Sequence, residues 1–149
     1  MQNLFDASAY NRIAERMNKL SADSKAVWGK MNVAQMLAHC KGPFKVALSE
    51  KKMPRMFLGI LIGWVIKPKL YNDTPYKEGL PTSPDFIIKD ERDFNKEKQG
   101  LMELMNAFRK AGPTGITKFA HPMFGKFTPE QWGKSLYKHI DHHLRQFGV

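Results

Sequence analysis

Thr128-Pro129-Glu130-Gln131-Trp132-Gly133-Lys134-Ser135-Leu136-Tyr137-Lys138-His139-Ile140-Asp141-His142-His143-Leu144-Arg145-Gln146-Phe147 reads as one helix, and the fold follows from it. Its first residues are a complete start signal. Thr128 can cap, Pro129 sits at the first helical position where no N–H is needed, and Gln131 is placed to reach back to the cap. On a helical wheel of about 100° per residue, Trp132, Leu136, Ile140 and Phe147 fall in one sector of about 80°. His139 and His143, four residues apart, lie within or beside that sector, and His142 lies about 60° further out, toward Lys138 and Arg145. Such a helix buries one stripe against other helices and carries two imidazoles inward with it.

The partners of that stripe are legible upstream. Asp6 can cap a helix over about Ala7–Leu20, with Tyr10, Ile13, Ala14 and Met17 at helical spacing. Asn32 caps a second, to about Leu48, whose main apolar stripe is Val33, Met36, Leu37, Cys40, Phe44, Ala47 and Leu48, with Lys41 and Lys45 opposite. His39 shares an uncharged flank of this helix with Gln35 and Val46. Pro43 offers no N–H to the carbonyl of residue 39, so a kink is expected there. Asp93 caps a further helix to about Lys110, with Leu101, Leu104, Met105 and Phe108 inward and Gly112-Pro113 ending it. The apolar segment Pro54–Ile66 reads as a short extra helix, a buried core element or a dimer contact rather than a membrane-surface segment. Its uninterrupted run from Met56 to Ile66 is eleven residues, against roughly 20 for a membrane span. Lys67 to Asp85 is a long loop of the kind that often covers a site, and Ala111 to Lys126 is a second. No strand alternation and no repeat is present. The expectation is an all-α, single-domain protein over residues 1–149, an antiparallel helical bundle with long connecting loops.

At 149 residues, 42% apolar and 26% charged, the chain has the composition of an ordinary soluble domain. One cysteine permits no internal disulfide, and the N-terminus has neither the basic nor the apolar region of a secretory leader, so a cytoplasmic location is expected. The net charge of +10 is spread along the chain rather than gathered in blocks, which argues against nucleic-acid binding.

Two imidazoles four apart can hold one metal ion from one helix, and the third ligand must come from elsewhere. His39 is the available donor. A single histidine on an apolar face is ordinarily a satisfied core residue, but each further inward imidazole must find partners for both ring nitrogens or cost free energy. Three neutral imidazoles leave a coordination position open, which is the pattern of catalytic rather than structural sites. Zinc and nickel both suit such ligands. The metal could lower the pKa of water toward about 7 or activate a thiolate. Gln35, one turn before His39, and Gln146, on the flank of His139, are candidates for the supporting shell, with His142 as a neighbour. His121, in the His121-Pro122 loop, either reaches the mouth of the site or structures its own turn. Cys40 falls on the apolar stripe as a core thiol, and Asp141 on the outer side. No inward carboxylate is evident, so the general base, and with it any catalytic residue, is unassigned.

The same residues resemble a known family. A histidine in the second helix, with His139-x-x-His142-His143 followed by Arg145-Gln146, is similar to the DinB/YfiT-like superfamily of proposed metalloenzymes. The segments Trp28-Gly29-Lys30-Met31-Asn32-x-x-Gln35-Met36-x-x-His39 and His121-Pro122-x-Phe124-Gly125-x-x-Thr128-x-x-Gln131-Trp132-Gly133 resemble a branch of it, a domain of unknown function with no assigned activity. The resemblance implies a four-helix bundle of up-down-down-up type, often a homodimer, holding a divalent metal through His39, His139 and His143. It also implies kinship with thiol-dependent S-transferases that use low-molecular-weight thiols. The expected function is therefore a metal-dependent hydrolase or thiol transferase acting on a small molecule. The alternatives are a non-enzymatic metal- or ligand-binding bundle, and a basic surface protein that binds nucleic acid or anionic lipid.

Overall fold

The computed structural model describes every residue except Met1, Glu50, Lys51, Met53, Pro81 and Ser83. Among the described residues there are five α-helices and no strand: α1 (Ala7–Asn18), α2 (Val33–Ala47), α3 (Phe57–Ile66), α4 (Phe94–Gly115) and α5 (Pro129–Gln146). Single 3-10 turns lie at Lys67–Leu70 and Pro84–Phe86, and residues His121 and Gly125 form an isolated bridge.

The helix starts follow their local chemistry. Thr128 Oγ1 accepts from the N–H of Gln131, and Gln131 Oε1 accepts from the N–H of Thr128, so with Pro129 lacking an N–H, two of the three N–H groups that α5 cannot pair internally are satisfied. Asn32 and Gln35 form the same reciprocal box on α2. Asp93 accepts from Lys96 N at the start of α4. Asp6 makes no side-chain cap, and α1 closes at Asn18 rather than Leu20. The α4 backbone leaves helical geometry at Gly112, where φ is +66°, a left-handed value that suits glycine and stops the regular helix near the expected place. Helix α2 runs through Pro43 to Ala47 as one helix.

Helix α2 packs against α4 and α5, α1 packs on α5, and α4 also touches α5. Ile13 and Met17 of α1, Met36, Leu37 and Phe44 of α2, Leu101, Met105 and Phe108 of α4, and Leu136, Ile140 and Leu144 of α5 are all under 2% exposed and form one cluster. Each such side chain contributes about 1.5–3 kcal/mol on leaving water, and this burial holds the four helices together. The chain ends are stitched in by Leu4 N to the Gly133 carbonyl at 3.1 Å and Val27 N to the Gln146 carbonyl at 2.8 Å.

One expectation changes and one gains a partner. Lys41, opposite the apolar stripe of α2, pairs with Glu97, buried in the first turn of α4, and Arg92 approaches the same carboxylate at 3.6 Å. Helix α3 is not a core element. Its inner face is made of Gly59 and Gly63, where a Cβ would collide with the Met123 carbonyl, so the helix lies tight on the 121–127 loop with its large side chains turned outward.

Candidate metal centre

The apolar stripe of α5 carries His139 and His143 toward α2, and the Asn32–Gln35 start sets the register that carries His39 toward α5. One nitrogen from each of the three rings lies within 4.8 Å of the others. The ring centroids are 5.0 Å (39–139), 4.7 Å (39–143) and 4.8 Å (139–143) apart, a nearly equilateral triangle. The Nε2 atoms of His39 and His139 face each other at 3.1 Å.

The outer nitrogens are tied in a way that fixes the tautomers. His39 Nδ1 is 2.9 Å from the carbonyl of Phe86. A carbonyl only accepts, so Nδ1 carries the proton and donates. His143 Nδ1 is 2.8 Å from Gln146 Oε1, and Gln146 Nε2 donates to the Trp28 carbonyl at 2.8 Å, which fixes which end of the amide meets the imidazole. Burial pushes the pKa of His39 below its ordinary value, that of His143 down to about 3, and that of His139 well below. Repulsion among the three rings adds to the effect on His139 and His143. Neutral imidazoles with a proton on Nδ1 have a bare lone pair on Nε2. His39 and His143 therefore both present lone pairs inward. His139 keeps some residue exposure, yet its Nδ1 is enclosed without a partner.

The donor set fits a divalent cation. Metal-ligating histidines ordinarily donate their other N–H to a carbonyl or carboxylate, as His39 and His143 do here. At metal–nitrogen distances of about 2.0–2.1 Å, two tetrahedral nitrogen ligands lie about 3.3 Å apart, close to the observed separation of the 39 and 139 nitrogens.

The other candidates fall in different places. Gln146 is buried and bonded to His143, not His139. Gln35 is not part of the cluster: its side chain is taken up by the Asn32 cap and by the Asp90 carbonyl at 3.2 Å. His142 packs beside His143, with the Trp28 ring tilted against it at 6.0 Å, the Tyr76 ring edge-on at 5.5 Å, and an enclosed, unpartnered Nδ1. His121 structures its own loop. Its Nδ1 accepts from Met123 N and Phe124 N, its ring packs on Phe124, Phe127 and Trp132, and burial pushes its pKa down to about 4. Cys40 is a core thiol whose pKa burial pushes up. Asp141 points outward to Arg16 at 2.6 Å.

Residues that sequence reading did not assign close the site. The segment after α3 folds over it: Tyr76 covers His142, and the Phe86 carbonyl anchors His39. The Lys138 ammonium holds the segment down through the Lys69 carbonyl at 2.6 Å and Asn72 Oδ1 at 2.7 Å. Nothing in the spacing of this loop reveals a backbone carbonyl aimed at a histidine. Trp28, by contrast, stands at the head of the motif that ends in His39.

No curated protein and no solved structure matches the chain. Residues 3–148 match the family described as "Protein of unknown function (DUF1569)", and the chain belongs to that family.

Proposed function

We propose that His39, His139 and His143 hold one divalent metal ion, zinc or nickel, and that the protein is a metal-dependent enzyme of the DinB/YfiT-like kind. Its reaction is the hydrolysis of a small molecule or the transfer of a low-molecular-weight thiol. The observation that carries the reading is the way the rings are tied: His39 and His143 have their Nδ1 atoms bound outward to Phe86 and Gln146, which leaves their Nε2 lone pairs for the cluster, His139 Nε2 lies 3.1 Å from His39 Nε2, and one nitrogen of each of the three rings lies within 4.8 Å of the others. The mutual packing of α1, α2, α4 and α5 supports a four-helix bundle of that superfamily.

When bound, the cation supplies Lewis acidity to an oxygen or a thiolate sulfur. The chain's own part is to hold three neutral donors in register, to keep water scarce with Trp28, Tyr76 and Phe86, and to fix the loop with Lys138. A second reading, metal binding without turnover, is favoured by one specific feature. Asp141, the only carboxylate within the His139–His143 stretch, is paired outward with Arg16 and cannot serve as base. The test is a turnover screen of zinc- and nickel-loaded protein with low-molecular-weight thiols and electrophilic or hydrolysable small molecules. Turnover that disappears in His143→Ala supports the enzyme, and metal binding with no turnover across the screen supports the second reading.

A further inference from the structure

Helix α3 is built inside out. Phe57 and Trp64 are each 76% exposed, and Leu58, Ile60 and Leu61 are more than half exposed. The helix rests on the 121–127 loop along one stripe: Met56 N donates to the Pro122 carbonyl at 3.0 Å, Gly59 and Gly63 meet the Met123 backbone, and Lys67 Nζ reaches the Lys126 carbonyl. By the helical wheel this stripe spans about 80°, and the apolar side chains span about 200° on the opposite side. The helix is thus a ridge, held tightly by glycines and apolar over its whole outer surface.

The two segments that form and carry the ridge are basic, between Glu50 and Asp73 for the first and ahead of Glu130 for the second. Residues 51–72 contain no Asp or Glu and include Lys52, Arg55, Lys67 and Lys69, and residues 117–129, which carry the ridge, add Lys118 and Lys126, also without an acid. Arg55, Lys69 and Lys126 are exposed.

We propose that α3 docks on an anionic phospholipid surface, with its apolar ridge sunk to the acyl boundary and the basic residues among the headgroups. Charge and shape both select this occupant. A two-fold interface sets the same patch against itself, so a second copy would bring the basic rims together. Two convex ridges also touch along one line and leave most of each exposed, whereas a fluid boundary closes around a cylinder. Among the described residues no helix is long and apolar enough to cross a membrane, and the ten residues of α3 fall short of the roughly 20 that a span needs. Short apolar segments with Trp and Phe beside clustered Lys and Arg suit that depth. This surface is independent of the three histidines.

The test is sedimentation of the full chain with vesicles of phosphatidylcholine containing one-third phosphatidylglycerol, against pure phosphatidylcholine. Arg55, Lys69 and Lys126, at about fivefold each near an anionic surface, predict a preference on the order of a hundredfold for the anionic vesicles. Trp64 emission should move to shorter wavelength on binding. Leu61→Asp, at a site exposed enough to leave the fold intact by circular dichroism, should weaken binding at least about tenfold. Arg55→Ala with Lys69→Ala should remove most of the lipid preference. The proposal is overturned if the wild type stays in the supernatant with anionic vesicles, or if Leu61→Asp pellets like the wild type. It is also overturned if the wild type is a dimer in solution that Leu61→Asp splits, which would assign the ridge to a second copy.

Discussion

Gln146 gives the sharpest test of how the histidines are held. Its Oε1 accepts the His143 Nδ1 proton, and its Nε2 donates to the Trp28 carbonyl. In Gln146→Leu both groups lose their partner. An unsatisfied buried group costs about 1–3 kcal/mol, and Trp28 is only partly buried, so the metal-free protein should lose about 2–4 kcal/mol. The larger effect is on the metal. Without an acceptor the imidazole is free to rotate and to change tautomer, and loss of such a partner lowers affinity about 10–100-fold. Gln146→Glu separates the two effects: its carboxylate still accepts from Nδ1 and makes the ring more basic, so affinity should stay at or above the wild-type level while the Trp28 contact is lost. Competition against a chromophoric zinc chelator reads the affinity, and chemical denaturation reads the stability. A folded Gln146→Leu protein that binds zinc as tightly as the wild type would refute the assignment of His143 Nε2 as a ligand.

Other expectations follow from the same geometry. Replacing His143 with Ala should abolish metal binding while His142→Ala leaves it in place, as measured by zinc titration; the opposite pattern would move the site outward. The buried histidines make metal-free stability depend on pH with a definite sign. Their folded pKa values lie below the unfolded value of about 6.5, so the unfolded chain binds more protons, and stability is full above that pH and falls as the pH drops. His143 alone, with a folded pKa of about 3, should cost about 2 kcal/mol between pH 6.5 and 5. Urea unfolding that shows flat or rising stability over that range would contradict the buried neutral state. Glu97→Gln removes the charge that faces Lys41 and Arg92 and should destabilise by about 3 kcal/mol, seen as a lower thermal midpoint. Gly63→Val would push against the Met123 backbone, so amide exchange should quicken in α3 while the α5 core stays protected.

What the sequence disclosed and what it hid divide along physical lines. The inward pair on α5 and the flank position of His39 are matters of helical period, which one chain displays without help. The start signals at Thr128 and Asn32 are local hydrogen-bond chemistry, equally visible. Gln35 shows a signal available but unread: Asn32-x-x-Gln35 is itself a capping-box pattern, which commits the amide to the helix start. Gln146 sits three residues from His143, a spacing at which side chains on a helix meet, so that pairing was also within reach. The Phe86 carbonyl was not, because a backbone group brought in by a long loop leaves no mark in side-chain pattern. Helix α3 misled for a different reason. An apolar run with glycines four apart has the composition of a core helix, and only its packing shows that the glycines, rather than the large residues, face the protein.

The most direct measurement is the metal content of the chain purified without a histidine tag, by elemental analysis before and after incubation with zinc or nickel. The expected result is about one metal per chain, a raised thermal midpoint in the loaded protein, and loss of both in His39→Ala and His143→Ala. Protein that takes up no metal and gains no stability from zinc or nickel would contradict it.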